Sequence, residues 1–192
     1  PMSSQILRPD IYETVRPDDF EALLDVSRFG VRTDAFDEII SAKHDHFWDP
    51  NDTRYLSYDA PFDLKNDTIL PREFVVELNC AIADELDEGQ KIALANESSR
   101  WMISALLHGE QGALSLSASL CDVLRDPGAQ EYAANQAREE ARHVTAFARY
   151  VKTRFGTPHP VGRTLGTMLH EMVSSPEVYK KLIGMQMLVE GL

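Results

Sequence analysis

Gln136-Ala137-Arg138-Glu139-Glu140-Ala141-Arg142-His143 contains the only Glu of the chain that stands three residues before a His. On a helix, positions i and i+3 lie on one face a turn apart, so Glu140 and His143 can aim a carboxylate oxygen and an imidazole nitrogen at one point. That is half of a carboxylate-bridged metal site. Its worth depends on what the neighbouring segments place beside it.

The flanks read as two long helices joined by a tight turn. Arg125-Asp126-Pro127-Gly128 has the residues of a turn, with Pro suited to a first helical position. After it, Ala133, Gln136, Ala137, Val144, Phe147 and Val151 recur at helical spacing, and Glu140 and His143 fall on the same face. They predict a helix to about Phe155, stopped by Gly156-Thr157-Pro158-His159-Pro160. Before the turn, a helix is predicted from about Gln90 to Leu124, with Ile103, Leu106, Ala113, Leu114, Ser117 and Cys121 on its inner stripe. Glu110 lies inside that stripe, where burying a charge is costly unless something such as a metal compensates it. Glu110 is 16 residues before Asp126 and Glu140 is 14 after it. At about 1.5 Å per residue both carboxylates stand roughly 21 to 24 Å from the turn, side by side across an antiparallel pair.

A third carboxylate follows the same logic. An intermediate helix is expected around 162–172, and a last one from Ser175-Pro176-Glu177, with Ser175 as its cap. Tyr179, Ile183 and Met187 form its inner stripe, and Glu190 is the next position on it. Residues 71–192 are read as one helical unit, opened by a helix from Pro71 with Phe74, Val75, Leu78, Ile82 and Leu86 on one side and Gly89 at its C-cap.

Residues 1–70 are read as short helices and an irregular strap wrapped around that unit. Pro17-Asp18-Asp19 opens a helix to about Phe29, ended by Gly30, and a second begins near Thr33 with Phe36, Ile39 and Ile40 on one side. From Phe47 to Pro71 no period is sustained, so this stretch is read as an extended loop. His44 and His46 could share a face only on a strand. The pattern before them is helical, and there the two rings diverge, so they are read as solvated histidines.

Composition narrows the function classes. The 31 acidic residues against 19 basic ones give a net charge of −12, which works against the phosphate neutralisation needed for nucleic acid and against anionic membranes. Cys80 and Cys121 are far apart in sequence and in no ligand spacing, which argues against a disulfide framework or a zinc site and fits a reducing cytoplasm. No apolar run approaches the roughly 20 residues of a membrane span.

Taken in order, Glu110, the Glu140/His143 pair and Glu190 resemble the ferritin-like di-iron carboxylate superfamily, whose centre is built from two Glu and two Glu-x-x-His elements in a four-helix bundle. Glu139-Glu140-Ala141-Arg142-His143 is similar to the signature of the bacterial multicomponent monooxygenase hydroxylases, and the pattern also resembles the p-aminobenzoate N-oxygenases. The resemblance covers about residues 72–192. It implies an all-α, ferritin-like antiparallel four-helix bundle with Glu110, Glu140, His143 and Glu190 as ligands to two iron ions, or to a manganese–iron pair. A second Glu-x-x-His is absent from the sequence. Either the chain is cut short of the fourth bundle helix, or another subunit supplies it, or it has been lost; the apolar ending Met187-Leu188-Val189-Glu190-Gly191-Leu192 favours the first.

The activity so implied is a monooxygenase that activates O2 to hydroxylate or N-oxygenate a small or medium apolar organic substrate. Its electrons would come from a ferredoxin or reductase, and a homodimer is among the expected assemblies. Leu106, Leu114, Gln136 and Phe147 are the expected pocket walls. Glu139 and Arg142, on the flank of the ligand face, would orient ligands or pair with a neighbouring helix, or else form a solvated ion pair. Glu110 matches the oxygenases, where radical-forming reductases commonly carry Asp. Phe147 stands where those reductases carry Tyr. A ferroxidase or iron-handling protein and a catalytically inactive helical scaffold are the alternatives.

Overall fold

The computed structural model describes residues 14–189. These residues are all-helical, with no strand among them and one isolated β-bridge between Thr14 and Leu124. The α-helices are α1 (Phe20–Leu23), α2 (Asp37–Asp45), α3 (Glu88–Cys121), α4 (Pro127–Phe155), α5 (Arg163–Ser174) and α6 (Val178–Lys181), and α6 runs on as a π-helix over Leu182–Val189.

The antiparallel α3–α4 hairpin forms the centre of the fold, and its ends are set by local chemistry. Asp87 caps α3, its Oδ1 accepting from the Gln90 amide at 2.8 Å while Gln90 Oε1 accepts from the Asp87 amide at 2.9 Å. Asp126 caps α4 through Ala129 N at 2.8 Å, with Pro127 in the first turn as expected. Gly156 ends α4 at φ 83, a left-handed conformation that a residue without a Cβ adopts freely. Small side chains, Ala95, Ser99, Ala113, Ser117 and Ala133, are buried along the hairpin. Toward its turn they meet an apolar cluster of Leu116, Leu120, Val123, Met172, Val178 and Met185 contributed by α3, α5, α6 and the π-helix.

Several predicted boundaries differ from those observed. Residues 72–85 form three successive 3-10 turns, not one α-helix, and only Val75 and Ala83 among them are buried. The apolar stripe of Phe74, Val75, Leu78, Ile82 and Leu86 is therefore not one packed face; Phe74 and Ile82 are exposed. Gly89 lies within the first turn of α3, because the Asp87 cap begins that helix two residues earlier. In the last helix Ser175 does not cap; its Oγ accepts from Glu177 N at 3.1 Å in a turn before the helix, and Glu177 occupies the cap position. Val178, Lys181 and Met185 face inward there, while Ile183 is exposed. The inward face is offset from the predicted stripe already at Val178, before the π-winding begins at Leu182, and it includes the buried Lys181, which apolar patterning does not select.

The segments before α3 are tied down by polar anchors. Arg28, 4 % exposed, donates from Nε to Arg125 O at 2.7 Å, from one terminal nitrogen to Leu23 O at 2.6 Å and from the other to Gln130 Oε1 at 2.8 Å, closing the N-terminal segment over the α3–α4 turn. Gly128 sits so close to this segment that a Cβ there would lie 2.2 Å from Thr33 O. Asn96 on α3 donates to Leu64 O and Asp67 O, both at 2.9 Å, and accepts from Ile69 N at 3.0 Å, fixing the irregular run of 47–87 on the hairpin. Residues 17–30 carry the short α1 and a 3-10 turn over Val26–Gly30 in place of one longer helix, and α2 begins at Asp37. His46 is exposed at the C-terminus of α2, and the side chain of His44 lies outside the described residues.

Candidate metal centre

Glu110 on α3 and Glu140 and His143 on α4 converge where the antiparallel pairing brings equal distances from the turn together. His143 Nδ1 donates to Glu110 Oε2 at 3.1 Å and to Glu140 Oε2 at 2.9 Å. One potential ligand atom from each of the three lies within 4.8 Å of the others. Glu140 is buried, Glu110 half-buried, and the His143 side chain is 39 % exposed. Glu190, the fourth expected ligand, lies outside the described residues.

The three groups are electrostatically linked. Hydrogen bonds to Glu110 and then Glu140 lift the His143 imidazole from 6.5 to about 9, against the opposing effect of burial. Burial pushes the Glu110 carboxyl up, but hydrogen bonds from His143 and with Glu140, together with the imidazolium charge, outweigh it and hold the group below its ordinary value. A proton on Nδ1 thus bridges two carboxylates at the point where a metal could bridge them. Two carboxylate oxygens and an imidazole nitrogen are a donor set for iron or manganese, and their convergence on one point fits such an ion.

The surroundings hold this triad in place. Gln136, one turn before Glu140 on α4, donates its side-chain amide to Glu140 Oε1, leaving Oε2 for the cluster. Trp48 stacks on the His143 ring with centroids 5.9 Å apart and planes at 19°. Glu139 and Arg142, both buried, form an ion pair with each other, and Arg142 donates to Trp48 O at 3.0 Å. Its guanidinium also lies 4.9 Å from the Phe47 ring centroid. Desolvation pushes the Arg142 guanidinium below its ordinary value. Of the two readings of Glu139 and Arg142, the solvated ion pair does not hold: the pair is buried and engages the strap at Phe47 and Trp48.

Two cavities meet at His143. One, of about 730 Å³, is lined by Glu110, Glu140 and His143 together with Leu106, Gln136, Leu165 and Met185. The other, of about 340 Å³, is walled by Trp48, Tyr58, Ile103, Phe147 and Tyr150. Of the expected pocket residues, Leu106 and Gln136 line the first and Phe147 the second. Leu114 lines neither: it is half-buried and four residues past Glu110, whereas Ala113, one position earlier, carries the face that looks into the cavity.

Several lining residues were missed from the sequence. Ala105, Gly109 and Ala113 recur every four residues beside Glu110 and leave the room that the larger cavity occupies. That spacing of small residues around a buried Glu was readable. Trp48, in contrast, belongs to an irregular segment with no period to betray its position. Comparison of the chain with family models, curated proteins and solved structures returned no match.

Proposed function

We propose that the chain is a di-iron oxygenase of the ferritin-like type, and that the hairpin and the helices packed on it are part of a ferritin-like bundle. The observation that carries this reading is the convergence of Glu110, Glu140 and His143 at the floor of a cavity whose other walls are largely apolar. An iron store needs a route for ions, but a chamber of about 730 Å³ lined by Leu106, Ala113, Leu165 and Met185 is sized for an organic molecule.

In this reading Glu110, Glu140 and His143 would hold metal, and iron bound there would supply the chemistry that reduces O2 and inserts one oxygen atom into the substrate. The balance is substrate, O2, two protons and two electrons giving oxidised substrate and water, with the electrons delivered by a ferredoxin or reductase. His143 Nδ1 must release its proton to ligate, so metal uptake discharges a proton into solvent below about pH 9. The Gln136 amide keeps Glu140 turned toward the centre, and Trp48 fixes the plane of the imidazole. Leu106, Leu165 and Met185 present apolar surface to a substrate beside the three donors. Glu139 and Arg142 act through the strap, holding Trp48 against His143.

The test is anaerobic loading of the protein with Fe(II), followed by exposure to O2 with optical spectra and oxygen uptake recorded, in the presence and absence of medium-sized apolar organics. The proposal expects a transient visible absorption and substrate-dependent oxygen uptake. Iron oxidation that continues through many equivalents and is indifferent to organics would identify a ferroxidase instead. Absence of iron binding would leave a helical scaffold.

A further inference from the structure

A third cavity, of about 510 Å³, lies between α3 and the start of α5. Ala105 and Leu165 line both this recess and the 730 Å³ chamber, so nothing thicker than a methyl group and one leucine side chain need separate them where they meet. Only Ala105 and Leu165 are shared with the chamber, so the side of the recess that adjoins it is apolar. Arg163, His108 and His159 line the recess alone, with the exposed apolar side chains of Trp101 and Met168 beside them.

The histidines are held and the arginine is not. His108 Nε2 donates to His159 O at 2.9 Å, His159 N donates to Ser104 Oγ at 3.0 Å, and His159 Nε2 donates to Glu97 Oε1 at 2.8 Å, which pins the α4–α5 loop to α3. Arg163 forms no ion pair among the described residues, although the chain carries 31 acidic side chains. A guanidinium with no carboxylate partner among the described residues favours an anion at its own end of the recess, and the shared Ala105 and Leu165 side, toward the chamber of Glu110 and Glu140, favours hydrocarbon.

We infer that the substrate is an amphiphilic carboxylate, with its anionic head on Arg163 in the outer recess and its apolar body passing Ala105 and Leu165 into the metal chamber. From Ser104, beside the recess, to Glu110 is a rise of about 9 Å along α3, which an extended chain of roughly six to eight carbons spans. The inference rests on the oxygenase reading for which end reacts, but not for whether the anion is held. The carboxylate and apolar body enter from the α5 side, so the distal carbons are the ones presented to Glu110, Glu140 and His143.

Octanoate and octanamide serve as probes, titrated by calorimetry into the full chain. Octanoate should bind more tightly than octanamide, and Arg163→Gln should weaken octanoate about fivefold while leaving octanamide and metal affinity unchanged. Leu106→Trp, which narrows the chamber but does not line the recess, should weaken octanoate and leave butyrate, which is short enough for the recess alone, unchanged. With Mn(II) bound, proton relaxation of octanoate should be fastest at the terminal methyl and slowest at the carbon beside the carboxylate. Equal binding of octanoate and octanamide, an Arg163→Gln variant that binds octanoate like wild type, or uniform relaxation along the chain would overturn the inference. If Mn(II) does not bind while the octanoate preference and its loss in Arg163→Gln hold, the metal reading fails and the anion recess stands.

Discussion

With no metal bound, raising the pH should weaken the centre of the hairpin. In the metal-free protein the His143 imidazolium is stabilised by Glu110 and Glu140, which carry its pKa from 6.5 to about 9. The folded state therefore binds a proton more tightly than the unfolded chain. This contribution is fully present below pH 6.5, declines between 6.5 and 9, and is lost above about 9. A rise of this size in a fully enclosed group would correspond to somewhat over 3 kcal/mol, but the His143 side chain is 39 % exposed, and solvent screening reduces the figure to roughly 1–2 kcal/mol. Urea unfolding of chelator-treated protein at pH 6 and pH 9.5 measures the change, and the same pair of measurements on His143→Asn removes contributions from other groups. Wild type should lose roughly 1–2 kcal/mol more than the variant across this interval. Equal pH dependence of the two proteins would refute the placement of the proton between Glu110 and Glu140. At the acid end Glu110 acts in the opposite sense: its lowered pKa adds stability that is lost as the pH falls through the carboxylate range.

Other substitutions test the supports around the centre. Arg142→Ala should destabilise the fold by about 3–5 kcal/mol, because Glu139 stays buried without its partner, and the double replacement with Glu139→Gln should recover part of that loss in urea melts. Asn96→Ala should lower stability by about 2–3 kcal/mol and speed proteolysis within 47–87, since three hydrogen bonds from one side chain hold that segment. Gly128→Ala should cost about 1–3 kcal/mol in thermal unfolding, because the obstacle 2.2 Å from the new Cβ is a backbone oxygen that cannot rotate away.

The helical hairpin and the convergence of Glu110, Glu140 and His143 were legible because each signal repeats. Asp126-Pro127 marks a helix start, Gly156 a helix end, and equal residue counts to the turn bring Glu110 level with Glu140. Where the period is not that of an α-helix, the same reasoning misplaced residues. Phe74 and Ile82 share an α-helical face in sequence, but the segment winds as short 3-10 turns and both side chains are exposed. Ile183 stands on the predicted inner stripe but is exposed, because the inward face runs through Val178, Lys181 and Met185 and a buried lysine hides that face from apolar patterning. The strap posed a different difficulty. Trp48 reaches His143 only through contacts formed in three dimensions, its carbonyl taken by Arg142 and its ring stacked on the imidazole, and no local pattern encodes either.

Metal retention tests the central claim most directly. The protein is incubated with one to three equivalents of Fe(II) under anaerobic conditions, desalted, and its iron content measured beside Glu140→Ala and His143→Ala variants whose helical content matches wild type. The account predicts that wild type retains iron and that both variants lose it. Wild type that keeps no iron, or variants that keep as much as wild type, would contradict it.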